Sequence, residues 1–88
     1  MKSRTTAAFR AALRTLPTEV QERCRDAYRL FRDNPRHPSL QFKKIHTRPI
    51  YSARVSRGYR AVAILDGEEV IWFWVGTHAD YDNLLKGL

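Results

Sequence analysis

"IYSARVSRGYRAVAILDGEEVIWFWVG", residues 50–76, contains three runs of β-branched, aromatic and small apolar residues separated by glycine-bearing turns. "IYSARVS" (50–56), "YRAVAIL" (59–65) and "EVIWFWV" (69–75) each have the length and composition of a strand. Asp66-Gly67-Glu68 favours a tight hairpin between the last two, and Ser56-Arg57-Gly58 supplies a turn between the first two. "LQFKKI" (40–45) reads as one more short strand ahead of them. Within 50–56, alternation places Ser52, Arg54 and Ser56 on one face and Tyr51, Ala53 and Val55 on the other. Strand 69–75 is expected to carry Trp72 and Trp74 on one face, with Ile71, Phe73 and Val75 on the other. A strand apolar on both sides is usually central in its sheet.

Outside this meander the period is helical. Phe9, Ala12, Leu13 and Leu16 follow i, i+3, i+4, i+7 after a brief lead-in at "KSRT", and Pro17 stops that helix. Thr18 with Gln21 three residues later reads as a capping box opening a second helix. Val20, Cys24, Ala27, Tyr28 and Phe31 form its apolar stripe, and "DNPRHP" ends it. Aromatics at this spacing are core residues, so Tyr28 and Phe31 receive no functional role. At the other end, Thr77 reads as a helix N-cap with Asp80 favourable to the helix dipole, and Leu84, Leu85 and Leu88 fit the buried side. The expected architecture is α+β. Two N-terminal helices pack on one face of a small, mostly antiparallel twisted sheet, followed by a short C-terminal helix, in a single domain spanning residues 1–88.

A chain of 88 residues has room for one core. The lone Cys24 excludes an intrachain disulfide framework and CxxC-type zinc ligation, and is expected to be buried as a small hydrophobe. No apolar run approaches the ~18 residues of a membrane span, and "MKSRTTAAF" lacks a signal core, so a cytoplasmic location and no membrane partner are expected.

The net charge of +7 is unevenly distributed. Between Asp33 and Asp66 there is no acidic residue, while Arg36, Lys43, Lys44, Arg48, Arg54, Arg57 and Arg60 lie there, with His37 and His46. The other nine basic residues are matched by nine acidic ones. A one-signed block focuses its field on a polyanion, most simply nucleic acid, or on an acidic protein. If the helices cover one face of the sheet, Arg54 and Arg60 project from the other as neighbouring guanidinium groups, suited to gripping phosphate. His78 and Asp82, spaced i and i+4, can share a helix face. Two such groups are too few for a metal site in basic surroundings, so no metal and no cofactor are expected. Core packing explains most of the Trp72–Trp74 run, although a tryptophan near the open face could stack a base.

The order of these elements, with "GYR" opening the third strand and "VGTHADYD" following the last, resembles the RelE/ParE superfamily of toxin–antitoxin toxins and within it the RelE and HigB-like branch. The resemblance covers nearly the whole chain. It implies a compact toxin that cuts messenger RNA on the ribosome, with mRNA, the ribosome and a cognate antitoxin as partners. Arg60 in "GYR" matches the family's strand arginine that holds the scissile phosphate, and Arg54 matches a basic position on the preceding strand. His78 falls where many relatives carry arginine or histidine, and Tyr81 lies near the family's C-terminal tyrosine. Ser52 departs from the pattern, since some relatives have a catalytic lysine there.

Metal-free RNA cleavage needs a base for the attacking 2′-hydroxyl, cations for the charged phosphorane and an acid for the leaving 5′-oxygen. Arg60 and Arg54 suit the second task, and His78 is the best proton carrier, with His46 as a lesser candidate. Lys43, Lys44, Arg48 and Arg57 read as RNA phosphate grips. Two other functions fit the same sequence. One is a ParE-like inhibitor of DNA gyrase without nuclease activity, and the other is a non-catalytic nucleic-acid-binding module.

Overall fold

The two hairpins expected from the sequence form the middle of the sheet. The structure, a computed structural model, describes residues 2–88. Its elements are β1 (Lys2–Thr5), α1 (Ala7–Arg14), α2 (Thr18–Asp33), a 3-10 turn (Pro38–Leu40), β2 (Lys43–Lys44), β3 (Ile50–Ser56), β4 (Tyr59–Asp66), β5 (Glu69–Thr77) and α3 (His78–Lys86). The strand order is β1-β5-β4-β3-β2, with β1 parallel to β5 and every other pair antiparallel. Asp66 pairs with Glu69 across a two-residue loop, where Gly67 takes φ 61°, a backbone conformation open chiefly to glycine.

The lead-in "KSRT" is itself a strand. β1 runs beside β5 with Ser3 opposite Val70, and Ser3 Oγ accepts the indole N–H of Trp72 at 3.1 Å. Thr6 then caps α1, accepting from Phe9 N at 3.0 Å. The capping box at Thr18 does not form. Pro17 is the N-cap, its carbonyl accepting from Val20 and Gln21, which makes Thr18 the first helical residue. Gln21 instead turns back, donating through Nε2 to the Leu16 carbonyl at 2.9 Å and tying the end of α1 to the start of α2. The strand expected over 40–45 shrinks to Lys43–Lys44, because Gln41 adopts a left-handed conformation (φ 47°) that ends the 3-10 turn. That turn drives Leu40 into the core, and Phe42 stacks on Tyr51 at 5.0 Å.

Two apolar clusters lie on opposite faces of the sheet. α1 rests over β5 and α2 over β3, burying Phe9, Cys24 and Phe31 against Ala53, Ala61, Ala63, Val70, Trp72 and Val75. The expected stripe of α2 is therefore the one that is buried. On the far face α3 covers Ile50 and Val62 with Tyr81, Leu84 and Leu85. Leu88, expected on the buried side of this helix, is 43% exposed because α3 ends at Lys86. Tyr81 is 6% exposed, Ser52 is 2% exposed, and the Tyr81 hydroxyl donates to Ser52 Oγ at 3.1 Å. This bond fastens the middle of α3 to the middle of β3.

The expected faces of β5 change partway along. Ala63 pairs with Trp72 and Val62 with Trp74, so Phe73 is an extra residue in the ladder. Trp72 and Val75 consequently share the α1–α2 side, while Phe73 and Trp74 both pack toward α3. The two tryptophans are on opposite faces, contrary to strict alternation. A second irregularity leaves Val55 without a direct partner, between the pairs Arg54–Arg60 and Ser56–Tyr59.

Removing either hydroxyl of the Tyr81–Ser52 pair leaves a buried polar group unpaired, so Tyr81→Phe and Ser52→Ala should each destabilise the fold by about 1–3 kcal/mol. The double variant should cost less than the sum of the two in urea unfolding, and strict additivity would show that the hydroxyls do not interact. Burial pushes the Cys24 thiol up to about 11, although Arg25 acts in the opposite sense. From an ordinary value of 9.0 this lowers the thiolate population at pH 8 by about 100-fold. Iodoacetamide should therefore modify native Cys24 at least that much more slowly than the unfolded chain, and equal rates would contradict its burial.

Candidate functional site

The candidate residues gather where β3, β4 and β5 approach the start of α3. Arg54 pairs directly with Arg60, and Arg60 pairs with Gly76, forming one row across three strands. The neighbouring row runs Lys43, Ser52, Val62, Trp74. Ser52 and Val62 pack under α3, which places both rows on the α3 face of the sheet. The two arginines are direct cross-strand partners, as expected, and α3 covers part of the face their register assigns them; Arg54 also lines the groove between β3 and α2, beside Val20 and Ala27.

Like charges directly opposite one another across an antiparallel pair are destabilising. Among the described residues neither Arg54 nor Arg60 has a carboxylate partner; the ion pairs are Arg4–Glu69, Arg29–Asp26 and His78–Asp82. Arg60 is steadied by the chain itself, its Nη1 donating to the carbonyls of Ser56 at 3.1 Å and Tyr59 at 3.0 Å. These contacts hold the guanidinium at the β3–β4 turn and leave its positive charge uncompensated by any carboxylate.

The same turn anchors α3. His78 N donates to the Gly58 carbonyl at 2.9 Å, and Thr77 caps the helix as expected, accepting from Asp80 N at 3.1 Å. The His78 ring is exposed, with Nδ1 3.4 Å from Asp82 Oδ2, so the i, i+4 carboxylate does stand beside the imidazole. Tyr81 meets the same ring edge-on, with centroids 5.6 Å apart. Tyr81 itself is enclosed and its hydroxyl engaged by Ser52, so it holds α3 in place. The Arg60 side chain and the His78 backbone thus both attach to the 56–59 turn, from two different elements.

The remaining basic residues spread outward. Arg57 is exposed at the tip of the β3–β4 turn, and Lys43 is exposed on the edge strand in the row of Ser52. Lys44 pairs with Tyr51 and belongs to the opposite face, so the two lysines are not side by side on one surface. Arg48 is exposed in the loop before β3. His46 Nδ1 accepts from Arg48 N at 3.1 Å, which gives it a part in shaping that loop. Among the described residues no three His, Cys, Asp or Glu side chains converge as a metal site would require. Sequence alternation could not reveal that Trp74 joins this face, because the extra residue at Phe73 sits within an unbroken apolar run. Gly76, two residues on, was the available signal that a large side chain lies close by.

Solved proteins share this fold at low sequence identity. YafQ from E. coli strain BL21(DE3) is 12% identical and superposes with a TM-score of 0.72, covering 91% of this chain and 96% of YafQ. The RelB–RelE antitoxin–toxin complex from Methanococcus jannaschii gives 17% identity and a TM-score of 0.73, with coverage of 91% and 95%. The isolated RelE toxin of E. coli gives 19% identity and a TM-score of 0.66, with coverage of 99% and 98%. No curated protein is a significant sequence relative. The model of the ParE-like toxin domain matches residues 18–83, from the start of α2 into α3, and the chain therefore belongs to the ParE-like toxin domain family.

Proposed function

We propose that the protein is the toxin of a toxin–antitoxin pair and cleaves messenger RNA on the ribosome. The observation that carries this reading is the Arg54–Arg60 pair, two arginines directly opposite across β3 and β4 without a carboxylate partner among the described residues, next to the turn that anchors the start of α3 and so His78. A phosphodiester would relieve the repulsion between the arginines and accept hydrogen bonds from both. In the proposed reaction the ribose 2′-hydroxyl gives up its proton to a solvent water and attacks the adjacent phosphorus while the bond to the 5′-oxygen breaks, leaving a 2′,3′-cyclic phosphate and, once that oxygen is protonated, a free 5′-hydroxyl. Arg54 and Arg60 stabilise the charge that builds on the phosphorane oxygens. His78, oriented by Asp82, gives a proton to the departing 5′-oxygen. Tyr81 acts one step removed, holding the middle of α3 against β3 so that the imidazole keeps its place.

Lys43, Arg48 and Arg57 extend the positive surface outward along the path of the RNA, and Lys44 serves the sheet edge on the other side. The position at which some relatives carry lysine is filled here by the buried Ser52, and Lys43 stands directly across the ladder from it. The partner that neutralises the toxin is a cognate antitoxin, whose reading frame is expected beside this one.

Induced expression should arrest growth, with primer extension on ribosome-bound message showing new cuts. Arg60→Ala should reduce cleavage by about 100- to 1,000-fold, the scale of losing one stabiliser of a developing oxyanion. His78→Ala should reduce it by about 100-fold or more, the lower range for a proton-transfer group. Full toxicity of Arg60→Ala would remove the phosphate clamp. Intact message with accumulating DNA breaks would assign the protein to gyrase instead.

A further inference from the structure

Trp72 and Trp74 are two residues apart, yet the bulge at Phe73 gives them opposite surroundings. Trp72 is 4% exposed, and its indole N–H is engaged by Ser3 Oγ. Trp74 is only half-buried. Among the described residues its indole N–H has no hydrogen-bond partner, and no side-chain nitrogen is both buried and unsatisfied, so this donor keeps some contact with solvent although the ring packs against Ile50, Val62 and Tyr81.

Gly76 allows the ring to lie where it does. A Cβ at position 76 would stand 2.9 Å from both Cη2 and Cζ2 of Trp74, closer than a real side chain permits. The benzo edge of the indole therefore lies over the backbone of Gly76, the residue that pairs with Arg60. Tyr81 stands beside the ring on the α3 side, with centroids 6.5 Å apart and planes inclined at 43°. The rows containing Trp74 and Arg60 are two strand residues apart, about 7 Å, which is within the reach of a single nucleotide. An aromatic surface, a free N–H donor and a pair of arginines thus share one small area.

We propose that Trp74 is a stacking platform for an unpaired nucleobase of single-stranded RNA, next to the phosphate gripped by Arg54 and Arg60. Stacking of this kind accepts any base, since each has a π-face, and it favours a single strand whose bases are free to splay. Gly76 is the positioning residue that seats the indole. The proposal rests on the RNA-cleaving reading above and adds to it the group that holds the base rather than the phosphate.

The test uses the full chain carrying Trp72→Phe, so that Trp74 is the sole tryptophan, and a short single-stranded oligoribonucleotide 2′-O-methylated to block cleavage, at low ionic strength. Binding should quench the emission of Trp74. Trp74→Leu should weaken binding about 5- to 150-fold, the range for losing one stacked base, while Trp74→Phe should retain most of it. Gly76→Ala, which keeps the indole but displaces it, should behave like Trp74→Leu while circular dichroism shows the fold intact. Binding that still depends on Arg60, with unquenched emission and full affinity in Trp74→Leu, would overturn the platform and leave the phosphate clamp standing. Absence of binding by the parent protein would overturn the platform, while the cleavage reading stands or falls on the primer-extension result.

Discussion

Strand β5 is hydrogen-bonded to β4 along its length and to β1 over its first half, so it must bury apolar side chains on both faces. Strict alternation would send Trp72 and Trp74 to the same side. The extra residue at Phe73 breaks that phase and delivers one indole to each cluster. Trp72 closes the core beneath α1, meeting Phe31 edge-on at 5.2 Å. Beyond the bulge, Trp74 and Gly76 face α3 beside Val62 and Arg60. Without the phase change, neither the second cluster nor the surface around Arg60 would have its present composition.

That surface also shows how charge is placed. Pairing Arg54 with Arg60 works against stability, and the fold offsets it locally through the turn carbonyls that hold Arg60. The buried Tyr81–Ser52 bond connects this region to α3, so the position of His78 depends on packing at the middle of the sheet as well as on its own contacts. Charge, helix anchoring and aromatic packing are therefore coupled within a few residues of the 56–59 turn.

The α+β order, both hairpin turns, the α2 stripe and the Thr77 cap were legible because each rests on short-range periodicity or a local turn. The His78–Asp82 contact was legible for the same reason, being a one-turn helical neighbour. β1 was not, because "KSRT" has no apolar pattern and pairs in parallel with a strand more than sixty residues away (Lys2 opposite Glu69). The bulge at Phe73 lies in a run that is apolar throughout, so an added residue leaves no mark on the pattern. At Thr18 the side chains for a capping box were present, but Pro17 had already started the helix. The clustering at the 56–59 turn was only half visible, since the arginine row follows from strand register and the tie to His78 from a long-range backbone bond.

The strands at the two margins of the sheet are both short, and both carry basic side chains: Lys2 and Arg4 in β1, Lys43 and Lys44 in β2. A sheet margin presents unpaired backbone groups that invite another strand to add on. Here any two copies meeting margin to margin would bring like charges together. The N-terminal strand thus also shields β5, whose aromatic run would otherwise form an adhesive border. The lysines and arginines at the perimeter guard the protein against its own sheet.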